Sequence, residues 1–272
     1  MAFDPFWFPL AVKMAATAAV VVAASRLAER AGPLIGGMIA TLPISAGPAY
    51  IFLALGHDDA FLKGSAVASV ATNDATALLV LTYAALAPRA PLAVALGAAF
   101  VVWFAGAWLV TVWHPSFAEA VALSCVVLPL AALAARPLAK AVALPPAVAR
   151  WWDVPFRAGL CGVLVATVVT LSARLGPALS GIAAVFPIVL SSLILILHPR
   201  IGGNAASAVM ANCLVGIIGF GLAMAAVHLA AVPLGGAVAV FLLFAVSAAW
   251  NAALTLHSVA RSRTVKSPPP PP

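Results

Sequence analysis

The sequence predicts an all-α, polytopic membrane protein of about nine transmembrane helices, arranged as two inverted four-helix repeats joined by a linker helix. Three observations predict this fold class: an apolar composition, a series of hydrophobic stretches of bilayer length, and a segment that recurs along the chain. The composition indicates a lipid environment, the hydrophobic stretches give the number of crossings, and the recurring segment gives their arrangement.

The composition is far too apolar for a water-soluble protein. Of the 272 residues, 65% are apolar and only 8% are charged, and the mean hydropathy is +1.15. A soluble domain is roughly half apolar and about a quarter charged. A chain of this size exposes a large share of its surface, so it could not bury this many apolar residues away from water. The composition therefore excludes a soluble enzyme, a nucleic-acid-binding protein and a disordered scaffold.

Nine hydrophobic stretches are separated by short segments rich in Gly, Pro or charged residues. A helix needs about 20 apolar residues to cross the hydrocarbon core of a bilayer, and each stretch is close to that length. Turn residues such as Pro88 and Pro91 mark the connections. The predicted crossings are residues 10–27, 34–55, 64–86, 91–113, 118–136, 156–173, 178–197, 204–229 and 233–257.

These crossings define four parts of the chain. Residues 1–116 form repeat A with crossings one to four, and residues 117–150 form the linker helix and the loop after it. Residues 151–260 form repeat B with crossings six to nine. Residues 261–272 end in five prolines, and we expect them to be a disordered tail, because polyproline forms no internal hydrogen bonds.

The basic residues are distributed unevenly between the two sets of loops. With nine crossings, eleven of the fourteen Lys and Arg residues lie on the side of the odd-numbered loops and the C-terminus. The opposite side holds only Lys13, Lys63 and Arg174. Cytoplasmic loops of membrane proteins carry an excess of Lys and Arg. We therefore expect a multi-pass protein of the bacterial inner membrane, with its N-terminus outside and its C-terminus in the cytoplasm.

One segment of the first half recurs in the second half. Residues 30–44 align without a gap with residues 174–188, pairing Pro43 with Pro187, and a shorter shift aligns residues 64–73 with 203–212. A duplicated four-helix unit would keep its orientation, but the additional fifth crossing turns the second copy over. Inverted repeats are typical of secondary transporters. A duplication kept only for stability is the alternative.

The repeated segments resemble a family. Gly36-Gly37 followed by Pro43 and His57, and Gly181 followed by Phe186-Pro187 and His198, are similar to the Gly-Leu…Phe-Pro…His pattern of GlpM-like bacterial membrane proteins. Those proteins are single units of about four helices. The resemblance implies that this chain is a tandem version of that unit, and it implies no particular activity.

Asp74 is the acidic residue placed deepest in a predicted crossing, with Thr72, Asn73 and Thr76 beside it. An ionised carboxylate in hydrocarbon is costly unless it faces a partner or water. Asp74 therefore indicates a proton or cation site or a counter-charge for a cationic substrate. The alternative is a structural carboxylate that pairs with an arginine or caps a broken helix. Asn73 and its repeat equivalent Asn212 either bind substrate or join helices by hydrogen bonds.

Two prolines fall in the middle of equivalent crossings. Pro43 and Pro187 each remove a backbone donor and leave a carbonyl to be satisfied by a neighbour or a cavity. Paired helix breaks in inverted halves indicate a transport site, although simple kinks are the alternative. Serine hydroxyls follow both prolines. The predicted substrate- or ion-binding residues are Asp74, Asn73, Asn212, Ser45, Ser191 and Ser192.

These features predict a secondary transporter of a small solute, proton- or cation-coupled, with its site where crossings two, three, seven and eight meet near the midplane. The alternative is a non-transporting membrane subunit or a scaffold for envelope polysaccharide or lipid machinery. A polar cavity around the predicted residues would favour the transporter, and a dry interface the scaffold.

An enzyme is not expected, because the sequence contains no HExxH, P-loop, GxSxG or CxxC motif. The three cysteines lie in apolar stretches without the spacing of a disulfide framework or metal site, and we expect no cofactor or metal. The expected partners are the lipid bilayer and a small-molecule or ion substrate, with no nucleic acid. A homo-oligomer is compatible with the sequence.

Overall fold

The computed structural model describes residues 7–30, 43, 46–139 and 150–265, and all regular structure in these residues is α-helical. The all-α prediction is confirmed. The helices are α1 (Trp7–Arg30), α2 (Ala46–Gly56), α3 (Asp59–Leu86), α4 (Leu92–Trp113), α5 (Phe117–Ala139), α6 (Asp153–Ala184), α7 (Ile188–Leu234) and α8 (Gly236–Val265).

Within the described residues, six stretches of helix are long and apolar enough to cross a membrane. Large apolar side chains remain exposed on the outer faces of these helices, among them Trp108 of α4 and Leu130 of α5. Such faces are suited to hydrocarbon rather than water, which fits a multi-pass helical membrane protein. The stretches are Asp59–Leu86, Leu92–Trp113, Phe117–Ala139, Asp153–Ser172, Arg174–Leu234 and Gly236–His257.

Two glycines interrupt the long helices of the second half. Gly176 in α6 has φ 73° and Gly202 in α7 has φ 79°. Glycine adopts positive φ at no steric cost, because it has no Cβ. Val185–Pro187 separates α6 from α7. The second half of the chain is therefore a series of helical pieces, residues 153–175, 177–184, 188–201, 203–234 and 236–265.

The boundaries predicted for crossing two and for the C-terminal tail can be compared with the observed helices. Crossing two was predicted over residues 34–55; only its last part is described, as α2. The predicted tail begins at residue 261, but α8 continues to Val265. The residues just after 260 include no glycine or proline that would end a helix, and the proline run begins later, outside the described residues.

The centre of the molecule is α3. Every residue from Ala68 to Ala77 is buried, whereas a helix at the edge of a bundle would expose one of its faces. Helices α4, α5, α6 and α7 surround it. The polar residues in the middle of α3 are therefore enclosed by protein rather than lipid.

The second part of α7, after Gly202, packs antiparallel along α3. Contacts occur near one end of α3, in its middle and near its other end. They join Lys63 with His228, Asn73 with Ile217, and Ala84 with Ser207. The middle contact places Asn73 and its neighbour Asp74 halfway along this helix pair.

Charged loop residues separate to the two ends of the bundle. At the end where α3 begins, called the Asp59 end, the Gly236 N–H donates to Asp59 Oδ1 (2.7 Å) and His57 contacts Ser172 (2.9 Å). At the opposite end, called the Arg200 end, Arg200 forms a bidentate ion pair with Asp153, at 2.6 and 2.7 Å. The Arg200 guanidinium also lies 5.1 Å from the ring centre of Trp152.

Candidate functional site

Asp74 lies at the middle of the central helix and is only 3% exposed. The Ser124 hydroxyl donates to Asp74 Oδ2 over 3.0 Å, so α5, predicted as a linker, contributes to this site. The other oxygen, Oδ1, is buried without a hydrogen-bond partner among the described residues. Within the same part of the chain, the one ion pair joins Arg200 to Asp153 and does not involve Asp74.

Asn73 contacts a different helix from its neighbour, because successive residues of a helix point about 100° apart. Its Nδ2 donates to the backbone carbonyl of Ile217 on α7 over 3.0 Å. A Cβ added at Gly221 would lie 3.1 Å from the same nitrogen, so the absence of a side chain there leaves room for Asn73. The Asn73 amide therefore joins α3 to α7. The described hydrogen-bond partner of Asp74 is Ser124 on α5.

A second polar face of α3 lies about 200° around the helix from Asp74. Ser65, Ser69, Thr72 and Thr76 follow one another at helical spacing. Ser69 donates to the carbonyl of Gly181 over 2.9 Å. This face therefore meets the short helical piece 177–184.

The second polar face contains two hydroxyls without hydrogen-bond partners among the described residues. They belong to Ser65 and Thr72, both fully buried. Thr76 is satisfied, because the Trp103 indole N–H donates to its hydroxyl over 3.0 Å. An unsatisfied buried hydroxyl costs about 1–3 kcal/mol.

The chain from Pro177 to Arg200 runs parallel to α3, with contacting residues 112 to 115 positions apart. Ser69 contacts Gly181, 112 residues later, and Tyr83 contacts His198, 115 residues later, with 2.8 Å between the hydroxyl and Nδ1. Separations of 112 to 115 place Thr72 level with residues 184–187, at the interruption between α6 and α7. One face of α3 thus lies beside a broken helix, and the opposite face carries Asp74.

The serines after Pro187 bind the backbone of their own helix. The Ser191 hydroxyl donates to the carbonyl of Pro187 over 2.7 Å, and the Ser192 hydroxyl donates to that of Val189 over 2.8 Å. Both serines are buried. Ser191 therefore satisfies a carbonyl at the helix break, as expected where a proline interrupts a buried helix.

The first-half equivalents are only partly described. Pro43 is buried, and its carbonyl accepts the Gly47 N–H over 2.7 Å. Ser45 lies outside the described residues. A comparison of the two breaks as a pair is therefore limited to the prolines, and their equivalence stays a prediction.

Asn212 lies apart from the other predicted residues. Its side chain is exposed, and Nδ2 donates to the carbonyl of Ala208 in its own helix over 2.8 Å. A longer contact of 3.5 Å reaches the carbonyl of Ala139 at the end of α5. The structure thus brings Asn73 and Asp74 together at mid-helix, and places Ser191 and Ser192 at the break.

Asp74 is absent from the linings of two cavities in the described part of the molecule. The larger, about 570 Å³, lies between α4 and α6, and the smaller, about 270 Å³, lies at the Asp59 end near His114. Asn73 is also absent from both linings. The interface around the carboxyl is closed in this conformation, and the described residues contain no group of three His, Cys, Asp or Glu that could hold a metal.

Sequence reasoning missed three features of this region. Ser124 lies within an apolar stretch whose assigned role was only to invert the second repeat, although a lone hydroxyl in mid-crossing could have marked it. The breaks at Gly176 and Gly202 carry only a Gly signal. No family model, curated protein or solved structure matches the chain, so the resemblance to GlpM-like proteins stays a prediction.

Proposed function

We propose that this protein is a secondary transporter of a small solute, coupled to protons, with Asp74 as the residue that binds and releases the proton. The observation that carries the proposal is a carboxyl group buried midway along the central helix, with one oxygen that has no hydrogen-bond partner among the described residues. Ionisable groups inside membrane proteins are costly and typically mark ion or proton pathways. An interrupted helix lies beside the opposite face of α3, as in transporters with midplane sites.

The proposed architecture has nine crossings in two inverted repeats. The 61-residue stretch Arg174–Leu234 is about three times the length of one crossing, and its breaks divide it into shorter pieces. The repeat aligns residues 64–73 with 203–212, and the helices that carry these segments pack antiparallel. Antiparallel packing of equivalent segments is the arrangement expected for inverted copies, and it supports an even number of crossings between them.

The proposed orientation places the Arg200 end in the cytoplasm and the Asp59 end outside. Alkaline phosphatase inserted between Asp58 and Asp59 should be active, because the enzyme matures only outside the cytoplasm. Green fluorescent protein fused after residue 272 should fluoresce, because it folds in the cytoplasm. If alkaline phosphatase is inactive while green fluorescent protein fluoresces, or the reverse, the two sites lie on the same side of the membrane and nine crossings are excluded.

Transport by alternating access would require the closed interface around Asp74 to open toward each side in turn. Gly176 lies toward the Asp59 end and Gly202 toward the Arg200 end, so the interrupted pieces have a flexible joint near each end. Hinge residues of this kind absorb large backbone changes during domain movements. Asp74, fixed on the central helix, would meet water from one side and then the other.

The test of the proposal is flux through the purified protein in liposomes that contain the pH indicator pyranine. Individual small metabolites are added outside, at an imposed pH gradient. We expect at least one solute to move protons faster than in protein-free liposomes, because coupled carriers move proton and solute together. The proposal is overturned if no solute in a broad metabolite panel changes the proton flux.

A non-transporting subunit or scaffold for envelope polysaccharide or lipid machinery remains the second candidate. The closed interface around Asp74 favours it, because this residue is only 3% exposed. A scaffold would leave proton flux at the level of protein-free liposomes and would co-purify with an envelope enzyme at a fixed ratio.

A further inference from the structure

The larger cavity is a groove open to the side of the bundle, called here the lateral groove. It lies between α4 and α6, with Phe186 of the interrupted segment among its lining residues. Among the described residues, no charged side chain lines it. Its two hydroxyls are already bonded within their own helices, Thr111 to the carbonyl of Trp108 and Thr167 to that of Val163. The lining therefore presents hydrocarbon and aromatic surface to whatever enters.

The mouth of the groove is continuous with the outer face of the bundle. Phe104, Trp108 and Val163 line the groove and are 56%, 66% and 55% exposed. In a helical membrane protein this face meets lipid chains, so an occupant can enter directly from the bilayer. The groove's apolar lining suits a chain drawn from that surrounding hydrocarbon.

The groove runs from the helix break toward the Asp59 end. Trp103 and Thr111 mark its extent on α4, eight residues or about 12 Å apart along the helix axis. At its inner limit, Trp103 packs edge-on against Phe186, with ring centres 5.0 Å apart. Near its outer limit lies Leu175, shortly after Ser172, which belongs to the Asp59 end.

A basic residue stands at the outer limit of the groove. Arg174 directly precedes the lining residue Leu175, and its side chain is exposed. It forms no ion pair with any other described residue. Basic residues near a membrane surface attract anionic lipid headgroups. The groove thus combines an apolar channel with an available positive charge at the end that lies nearer the membrane surface.

From this combination we infer a binding site for an anionic phospholipid. One acyl chain fills the lateral groove with its tip against Phe186 and Trp103, and the phosphate group meets Arg174. The volume of about 570 Å³ is within the usual range of about 300–1,000 Å³ for small-molecule sites. Because Phe186 belongs to the interrupted segment, the bound chain contacts the part of the molecule proposed to move. The site itself does not depend on transport.

The site can be tested by photolabelling the full-length protein in nanodiscs. One sample contains phosphatidylglycerol with a diazirine near the end of one chain, and the other contains phosphatidylcholine with the same chain. Labelled residues are then located by mass spectrometry. We expect labelling concentrated on Trp103, Phe186 and their neighbours, stronger for phosphatidylglycerol, and competed by unlabelled phosphatidylglycerol.

Two substitutions test the contributions of the acyl chain and of the headgroup separately. Val163→Trp fills the groove and should remove the labelling at Phe186, whereas Val126→Trp, the same change on the exposed face of α5, should leave it intact. Arg174→Gln should reduce the preference for phosphatidylglycerol by about five-fold, and Arg89→Gln near the Arg200 end should not.

The inference is overturned if labelling is spread evenly over the exposed faces, including that of α5, or if Val163→Trp and Val126→Trp behave alike. Equal labelling by both lipids would also overturn it, since the headgroup would then play no part. Labelling requires no solute flux, so a negative transport assay leaves the lipid result standing, and a negative labelling result leaves the transport proposal standing.

Discussion

Replacing Asp74 with asparagine is expected to abolish proton-coupled uptake while the protein still folds. Asparagine is nearly isosteric with aspartate and can still accept the hydrogen bond from Ser124, but it cannot bind and release a proton in the working range of pH. Asp74 is only 3% exposed. No other described carboxyl lies at the middle of a helix, where it could take over the proton. Initial uptake of the coupled solute should fall to that of protein-free liposomes.

The matched control is Asp58→Asn at the start of the same helix. The Asp58 carboxylate caps α3 by accepting the Phe61 N–H over 2.8 Å, and asparagine caps helices equally well. This variant should transport at the normal rate, with a normal thermal unfolding midpoint. If Asp74→Asn instead transports with an unchanged dependence on the pH gradient, Asp74 is not the coupling residue.

Replacing Gly203 with alanine is expected to destabilise the protein by about 3 kcal/mol, as overpacking of a close-fitting interface does. A Cβ at Gly203 would overlap the backbone carbonyl of Ala87 at the end of α3, so one of the two helices must shift. Small residues at such contacts allow membrane helices to approach closely. The effect is measured as the change in thermal or denaturant unfolding in detergent.

Gly216→Ala in the same helix is the control, because a Cβ there has no neighbour within 4 Å. Alanine is the better helix former by up to about 1 kcal/mol, so this variant should be as stable as the parent or slightly more stable. Equal unfolding midpoints for Gly203→Ala and Gly216→Ala would show that α3 and α7 do not approach as closely as described.

The helical class and the positions of most helices could be predicted because they depend on local properties. Runs of about 20 apolar residues and the turn residues between them are visible in the sequence, and the starts of α4 and α5 fall within one residue of their predicted positions. The ends of the long helical pieces after residue 203 could not be predicted as closely. There the chain bends at Gly202 and Gly235 without a polar loop, so hydropathy alone places no clear end.

Part of the candidate site could be predicted, for a related reason. Asp74 is evident in sequence because a carboxyl deep in an apolar stretch is costly. Ser124, 50 residues away, becomes its neighbour only through packing of α5 on α3. Asn212 aligns with Asn73 in the repeat, yet one side chain is exposed and the other buried. Aligned positions of a repeat share backbone location, but their neighbours differ.

The ion pair between Arg200 and Asp153 has a mechanical consequence. Arg200 is two residues before the joint at Gly202, and Asp153 begins α6, so the pair clamps the end of piece 188–201 to the start of piece 153–175. The two pieces are therefore joined twice, by the ion pair at the Arg200 end and by residues 176–187 toward the Asp59 end. Because the ion pair holds their ends together, bending at Gly176 or at Gly202 must move both pieces as a pair at the Arg200 end.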